Sequence, residues 1–253
     1  MSILCYHSID PFWDSLLSVP PDKFAMQSAW LARHRTVVNL AEAAERAGPS
    51  GALPRGMAAL TFDDGYEALF DHAFSIVKRH GFRPTIFVVA DVLSSGDRIA
   101  HWIEQTSEKP IRTLSVEQIL EMRDAGLEFG SHTYSHNDLT SLSEAECRQD
   151  LKRSKEILED LLKSHVRHLA YPRGLHNARV RRCAEWAGFS YAFGTTKGRE
   201  SMTRYSIPRA GIYPRNGALA IRFKTSPKYL EVRRSKLFST LLRRFGRAHS
   251  RCR

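Results

Sequence analysis

Short apolar runs alternate with longer amphipathic stretches along most of this chain, and the alternation predicts a series of strand and helix units. Ile3-Leu4-Cys5-Tyr6 reads as a first strand. A helix is expected over 22–34, a strand over 36–39 and a helix over 40–47. Met57-Ala58-Ala59-Leu60-Thr61-Phe62 is a short apolar run and Gly65 a breaker, so a strand ends at Asp63 and Asp64. Residues 66–80 carry Leu69, Phe70, Ala73, Ile76 and Val77 at helical spacing. A buried strand over 84–90 then gives way to an irregular excursion reaching about residue 114.

Beyond it, Ser115 is placed to cap a helix that ends near Gly126, with Glu117 and Gln118 in its first turn. Leu127-Glu128-Phe129 is a short strand leading to His132 and His136, whose four-residue spacing would put both on one side of a helical turn. Ser143 opens a long amphipathic helix to about 164, with Glu146 positioned for a capping box. A strand over 168–171, a helix over 177–188 and a strand over 189–193 complete the pattern. Alternation of this kind implies an α/β fold with parallel strands, and 253 residues suffice for one domain with a sizeable core.

Charge divides the chain unevenly. The formal net charge is +11, yet residues 233–253 hold eight Lys or Arg and no acid, leaving about +3 elsewhere. In that tail Leu237, Phe238, Leu241, Leu242 and Phe245 recur at helical spacing beside Arg243, Arg244 and Arg247. Such a helix suits the surface of an anionic bilayer, or packs as a solvated terminal helix on the domain. The body lacks a nucleic-acid motif, so no nucleic-acid partner is expected. Cys5, Cys147, Cys183 and Cys252 are too few and scattered for a disulfide scaffold. With no signal-peptide pattern and no run of transmembrane length, the expected location is cytoplasmic, with peripheral contact at the inner membrane face.

Asp63, Asp64, His132 and His136 together supply enough donors for one divalent ion and one base. A catalytic zinc takes three protein ligands of mixed His and carboxylate type and keeps a position open. Asp64, His132 and His136 fill those places, and Asp63 is left to take a proton. Taken singly, Asp-Asp-Gly is most often a turn and His-x-x-x-His a chance pairing. Their joint occurrence at two strand ends points to metal-assisted hydrolysis.

The same residues resemble the polysaccharide deacetylases with a NodB-homology domain, carbohydrate esterase family 4. Thr61-Phe62-Asp63-Asp64-Gly65 is similar to that family's first motif, in which the first Asp is the base and the second a metal ligand. His132-Thr133-Tyr134-Ser135-His136 is similar to the second, which gives two His ligands. Leu169-Ala170-Tyr171-Pro172-Arg173-Gly174 resembles the third, which lines the groove and offers a backbone N–H to the oxyanion, here that of Arg173. The resemblance runs from about residue 3 to 212. It implies a single distorted (β/α)7 barrel, placed over 1–225, and the charge and spacing described above set 226–253 apart as a basic amphipathic tail. It also implies one divalent ion, zinc first and cobalt or nickel as alternatives, and an N-acylated amino-sugar glycan as substrate, polymeric or lipid-linked.

Two departures bear on mechanism. The family's third motif begins with an Arg that pairs with the base, and Ala170 stands there instead. Arg209 is the candidate replacement because a bidentate guanidinium fixes a carboxylate's orientation; otherwise it is a solvated strand-end Arg. No His lies between His176 and His249, where the family's usual general acid would fall. Cys5-Tyr6-His7 resembles the N-terminal Tyr-His of the exopolysaccharide branch, which makes His7 the proton donor. Trp13, Trp102, Tyr134 and Tyr171 are candidates to stack on sugar rings, or are simply core aromatics. Two rival functions stay open: a deformylase or other amidase on a lipid-linked sugar, and a carbohydrate-binding homologue that has lost turnover.

Overall fold

The computed structural model describes residues 3–47, 54–104, 109–195 and 202–235. The tail positions named above from Leu237 onward lie outside the described residues. The strands are β1 (Ile3–Tyr6), β2 (Ser8–Ile9), β3 (Ser18–Val19), β4 (Thr36–Val37), β5 (Met57–Phe62), β6 (Thr85–Val88), β7 (Glu128–Ser131), β8 (His168–Ala170), β9 (Tyr191–Thr195) and β10 (Ile207–Gly211). Seven of them, in the order β1-β5-β6-β7-β8-β9-β10, form a parallel sheet that closes where β10 pairs with β1. This is a distorted (β/α)7 barrel, with short β4 added on β5 beside the ring. The ribbon of β2 and β3 stands apart.

Side-chain alternation along the strands separates two cores. Leu4, Tyr6, Ala58, Leu60 and Phe62 point outward and pack with the surrounding helices. Ile3, Ala59, Phe87, Ala170, Phe193 and Ile207 fill the interior. Helix α2 (Leu40–Ala47) packs Leu40, Ala43, Ala44 and Ala47 into that same interior cluster, closing the end where the strands begin. Toward the strand C-termini the interior turns polar. There Arg209 lies over the Phe87 ring, 5.1 Å from its centroid, and touches Thr61 above. Both faces of every barrel strand are therefore buried, which is why these strands read as continuous apolar runs.

Helix α1 (Pro21–His34), α5 (Val116–Asp124), α6 (Glu144–Leu162) and α7 (Ala178–Trp186) lie close to their expected bounds. Ser115 and Ser143 both complete capping boxes, with Gln118 and Glu146 respectively. Other expectations need correction. The helix expected over 66–80 starts two residues late and carries a π turn: Tyr66 bridges to Thr113, helical backbone runs from Ala68, the π turn spans Leu69–Ala73, and α3 (Phe74–Arg79) continues from it. Tyr66 is drawn into the core, so it cannot start a surface helix. The excursion holds α4 (Asp91–Ser95) and a second bridge between Ile99 and Arg112. After β10 come α8 (Ala218–Lys224) and α9 (Lys228–Arg234), of which Tyr229 and Leu230 are buried. No helix among the described residues is long and apolar enough to cross a membrane.

Candidate metal centre

Asp63 and Asp64 follow directly on β5. Asp63 continues the strand, its N–H donating to Tyr6 O at 2.9 Å, whereas Asp64 turns into the left-handed region at φ 68°. Gly65 follows at φ 61°, and a Cβ there would stand 2.6 Å from Val88 Cγ1. The Asp-Asp-Gly order thus sends two consecutive carboxylates to different places: one into the barrel mouth beside β10, the other toward β7.

His132 and His136 come from the loop after β7, and no helical turn forms there. Thr133 and His136 are left-handed at φ 72° and 56°, which breaks the expected turn. The loop is held by side chains instead. Ser131 Oγ accepts the Thr133 N–H and Thr133 Oγ1 accepts the His136 N–H, each at 3.0 Å. Asp150 of α6 accepts the Tyr134 N–H at 2.9 Å and the Ser135 hydroxyl at 2.6 Å.

The two imidazoles meet Asp64. His136 Nε2 lies 3.2 Å and His132 Nε2 3.4 Å from Asp64 Oδ1, and all three residues are buried. Tetrahedral bonds of about 2.0–2.1 Å would put ligand atoms about 3.3 Å apart, so Asp64 already stands at zinc-ligand spacing from both imidazoles. His132 Nδ1–H donates to Ala170 O at 2.8 Å, which leaves Nε2 as its free lone pair. Trp102 stacks on His136 with centroids 5.1 Å apart and closes that side. Burial would push the Asp64 carboxyl up, but the two histidines outweigh it and hold it well down; burial pushes His136 down, whereas at His132 burial is outweighed by the Asp63 and Asp64 carboxylates, which raise it. The anion and the neutral imidazole are the forms that bind a metal.

Asp63 stands apart from these donors, locked by β10. Arg209 Nη1 and Nη2 donate to Oδ1 and Oδ2 at 2.6 and 2.7 Å, while Cys5 Sγ lies 3.3 Å from Oδ2. Burial would raise the Asp63 carboxyl; the Arg209 charge, assisted by His132 and the paired hydrogen bonds, holds it at about 2. His7 reaches the same corner, its ring grouped within 4.8 Å of Cys5 Sγ and Asp63.

A cleft of about 620 Å³ opens over this arrangement. Asp63, Asp64, His132, His136, His7 and Arg209 line it, together with Trp102 and Arg173. Arg173 is again left-handed at φ 55°, in a 3₁₀ turn (Pro172–Gly174) after β8. Three candidate contacts fall elsewhere. Tyr171 is fully buried with its hydroxyl donating to Tyr205 O, Pro172 is buried beneath the turn, and Tyr134 lies under the Arg153 guanidinium. Trp13 packs edge-on against Tyr66. Sequence reasoning missed Cys5, Thr61, Tyr66 and Asp150. The Asp150 position on the buried face of an otherwise polar helix was the one available signal.

The family model described as polysaccharide deacetylase matches residues 50–192. The chain belongs to that family. The relatives are hydrolases of N-acetyl amide bonds and the family is metal-dependent; Asp64, His132 and His136 form a group that could hold an ion. The chain is 26% identical over 205 residues to the poly-beta-1,6-N-acetyl-D-glucosamine N-deacetylase of Staphylococcus epidermidis, covering 76% of this chain and 67% of that protein. Among solved structures it resembles the Streptococcus pyogenes deacetylase PplD in complex with acetate, at 25% identity and TM-score 0.76, covering 90% of this chain and 98% of that one. IcaB from Ammonifex degensii shares the fold at TM-score 0.73 and 24% identity, with 89% and 97% covered.

Proposed function

We propose that this chain removes an N-acyl group, N-acetyl in the first instance, from an amino sugar of a glycan. The observation that carries the reading is the division of labour within one cleft: three donors converge on a point, and a fourth carboxylate is held off them by a bidentate arginine. Asp64, His132 and His136 would hold a divalent ion, zinc by donor type, with cobalt or nickel able to take the same set. Such an ion supplies Lewis acidity toward the acyl oxygen and the attacking water.

The remaining steps belong to side chains of this chain. Asp63 takes the proton of the attacking water, and Arg209 keeps that carboxylate charged and oriented. The Arg173 backbone N–H donates to the developing oxyanion. His7 delivers a proton to the departing nitrogen, in a corner that already holds Asp63 and Cys5. Trp102 offers an aromatic face to the sugar and a wall to the ion.

The substrate is read as a polymeric or lipid-linked N-acylated amino sugar, by analogy with relatives named for poly-N-acetylglucosamine. The complete donor set argues against a binding protein without turnover. The deciding experiment measures bound metal and acetate release from N-acetylated glucosamine oligosaccharides. Asp63→Asn should keep its metal and lose at least about 10³-fold in kcat, whereas Asp64→Asn should lose the metal itself. Acetate release by Asp63→Asn near the parent rate would overturn the assignment. Formate from a formylated lipid-linked sugar, without acetate from the oligosaccharide, would select the deformylase.

A further inference from the structure

Large apolar side chains exposed on a soluble surface are ordinarily scattered. Here six of the eight among the described residues fall in two stretches: Phe12 and Leu16 between β2 and β3, and Tyr213, Leu219, Phe223 and Val232 after β10. Phe12, Leu16 and Leu219 are 87%, 67% and 80% exposed. The two stretches meet at the cleft. Leu17 lines the same cavity as Phe223 and Val232, and α1, which follows the first stretch, is tied to the second through Lys23 Nζ to Pro214 O at 2.6 Å and Gln27 Nε2 to Asn216 O at 2.7 Å. Tyr213, Phe223 and Val232 therefore stand on the active-site cleft itself, and Phe12, Leu16 and Leu219 project from the two chain segments that border it.

Charge tells what would cover it. Residues 213–235 contain Arg215, Arg222, Lys224, Lys228, Arg233 and Arg234 against the single acid Glu231. The other stretch has no cation; its Asp10 carboxylate is turned back onto the Phe12 and Trp13 N–H groups at 2.7 and 3.3 Å, which leaves Asp14 as its one exposed acid. Apolar side chains interleaved with cations are the composition of a surface that sits at the headgroup level of an anionic bilayer. A competing occupant would be residues 236–253, which are also apolar in part. They carry six further basic residues and no acid, so seating them here sets like charge on like.

We propose that the rim of the cleft is a docking face for an anionic lipid bilayer. Phe12, Leu16 and Leu219 enter the acyl boundary, and the exposed cations Arg222 of α8 and Lys228 of α9 meet lipid phosphates. The cleft then opens onto the membrane, and a glycan presented at headgroup level reaches the donors without leaving the surface. This inference does not depend on which acyl group is removed.

The test is co-sedimentation of the full chain with phosphatidylcholine vesicles, with and without phosphatidylglycerol. The protein should sediment only with the anionic vesicles, and salt should release it. The triple variant Phe12→Ser, Leu16→Ser, Leu219→Ser should bind at least about tenfold more weakly, with unchanged thermal midpoint and unchanged hydrolysis of a soluble substrate. As a second readout, Leu219→Trp fluorescence should be quenched by brominated acyl chains. Failure of the parent protein to bind anionic vesicles would overturn the proposal. So would parent-like binding by the triple variant, which would assign the attraction to residues 236–253 instead.

Discussion

Asp63 and Asp64 are neighbours in sequence with opposite surroundings, and the difference lies in their partners rather than in their own chemistry. Asp63 faces a guanidinium, two donors of which are used on it, while Asp64 faces the Nε2 atoms of two imidazoles. Arg209 is itself completely buried, and the Asp63 charge holds it protonated against the penalty of burial. Arg209→Leu should therefore cost about 3–5 kcal/mol in urea unfolding, because it strands a buried carboxylate. Arg209→Lys keeps the charge but not the fork; kcat should fall about tenfold or more with KM little changed, read from steady-state kinetics. The need for such a residue was legible in the sequence because Ala170 left the base without its usual partner. Cys5 and Thr61 were not legible. Their roles arise from β1 and β5 lying side by side, a contact across more than fifty residues that no local pattern encodes.

At the scale of elements, the second motif is a loop in a strained conformation held from behind by a helix. Thr133 and His136 occupy the left-handed region, which costs a non-glycine residue roughly 1–2 kcal/mol each. Asp150 offsets that cost by accepting two N–H groups and a hydroxyl from the same loop. Asp150→Ala should therefore weaken metal binding about 10–100-fold in a chelator competition, with the three donors intact. Ser143→Ala removes the N-cap of the same helix and should lower stability by about 1 kcal/mol while leaving metal affinity alone. The third motif has its own constraint at Gly174, where φ is 68° and a Cβ would stand 2.6 Å from Thr195 N. Capping boxes and the helices they open were readable because they are local. The His132 loop was misread as a helical turn because i, i+4 spacing carries no information about φ, and the side chains that set φ come from elsewhere.

For the molecule as a whole, the alternation of elements identified an α/β fold with parallel strands, since strands buried on both faces leave a strong apolar signal, whereas the barrel itself was implied by the family resemblance. Ring closure left no such signal. It depends on β1 fitting between β5 and β10, two strands nearly 150 residues apart. At the opposite end from the cleft, His168 on β8 is buried against Phe193 and Tyr191, and burial, with the nearby Arg167 charge, holds it at about 4. An unfolded chain binds this proton first, near 6.5. The His168 contribution is thus complete above about pH 6.5 and is lost as pH falls through 4, amounting to roughly 3 kcal/mol. His168→Phe should flatten the difference in unfolding free energy between pH 7 and pH 4, measured by urea titration at both.

The place of β10 in the ring carries a consequence for biosynthesis. On the ribosome β1 emerges first, and its second neighbour is the last barrel strand to be made. The strand that closes the cylinder also brings Arg209, so the Asp63 carboxylate gains its counterion only when the ring is complete. A nascent or truncated chain lacking that strand would contain every candidate ligand and still, on the proposed mechanism, be idle, because completing the wall and seating Asp63 are one event.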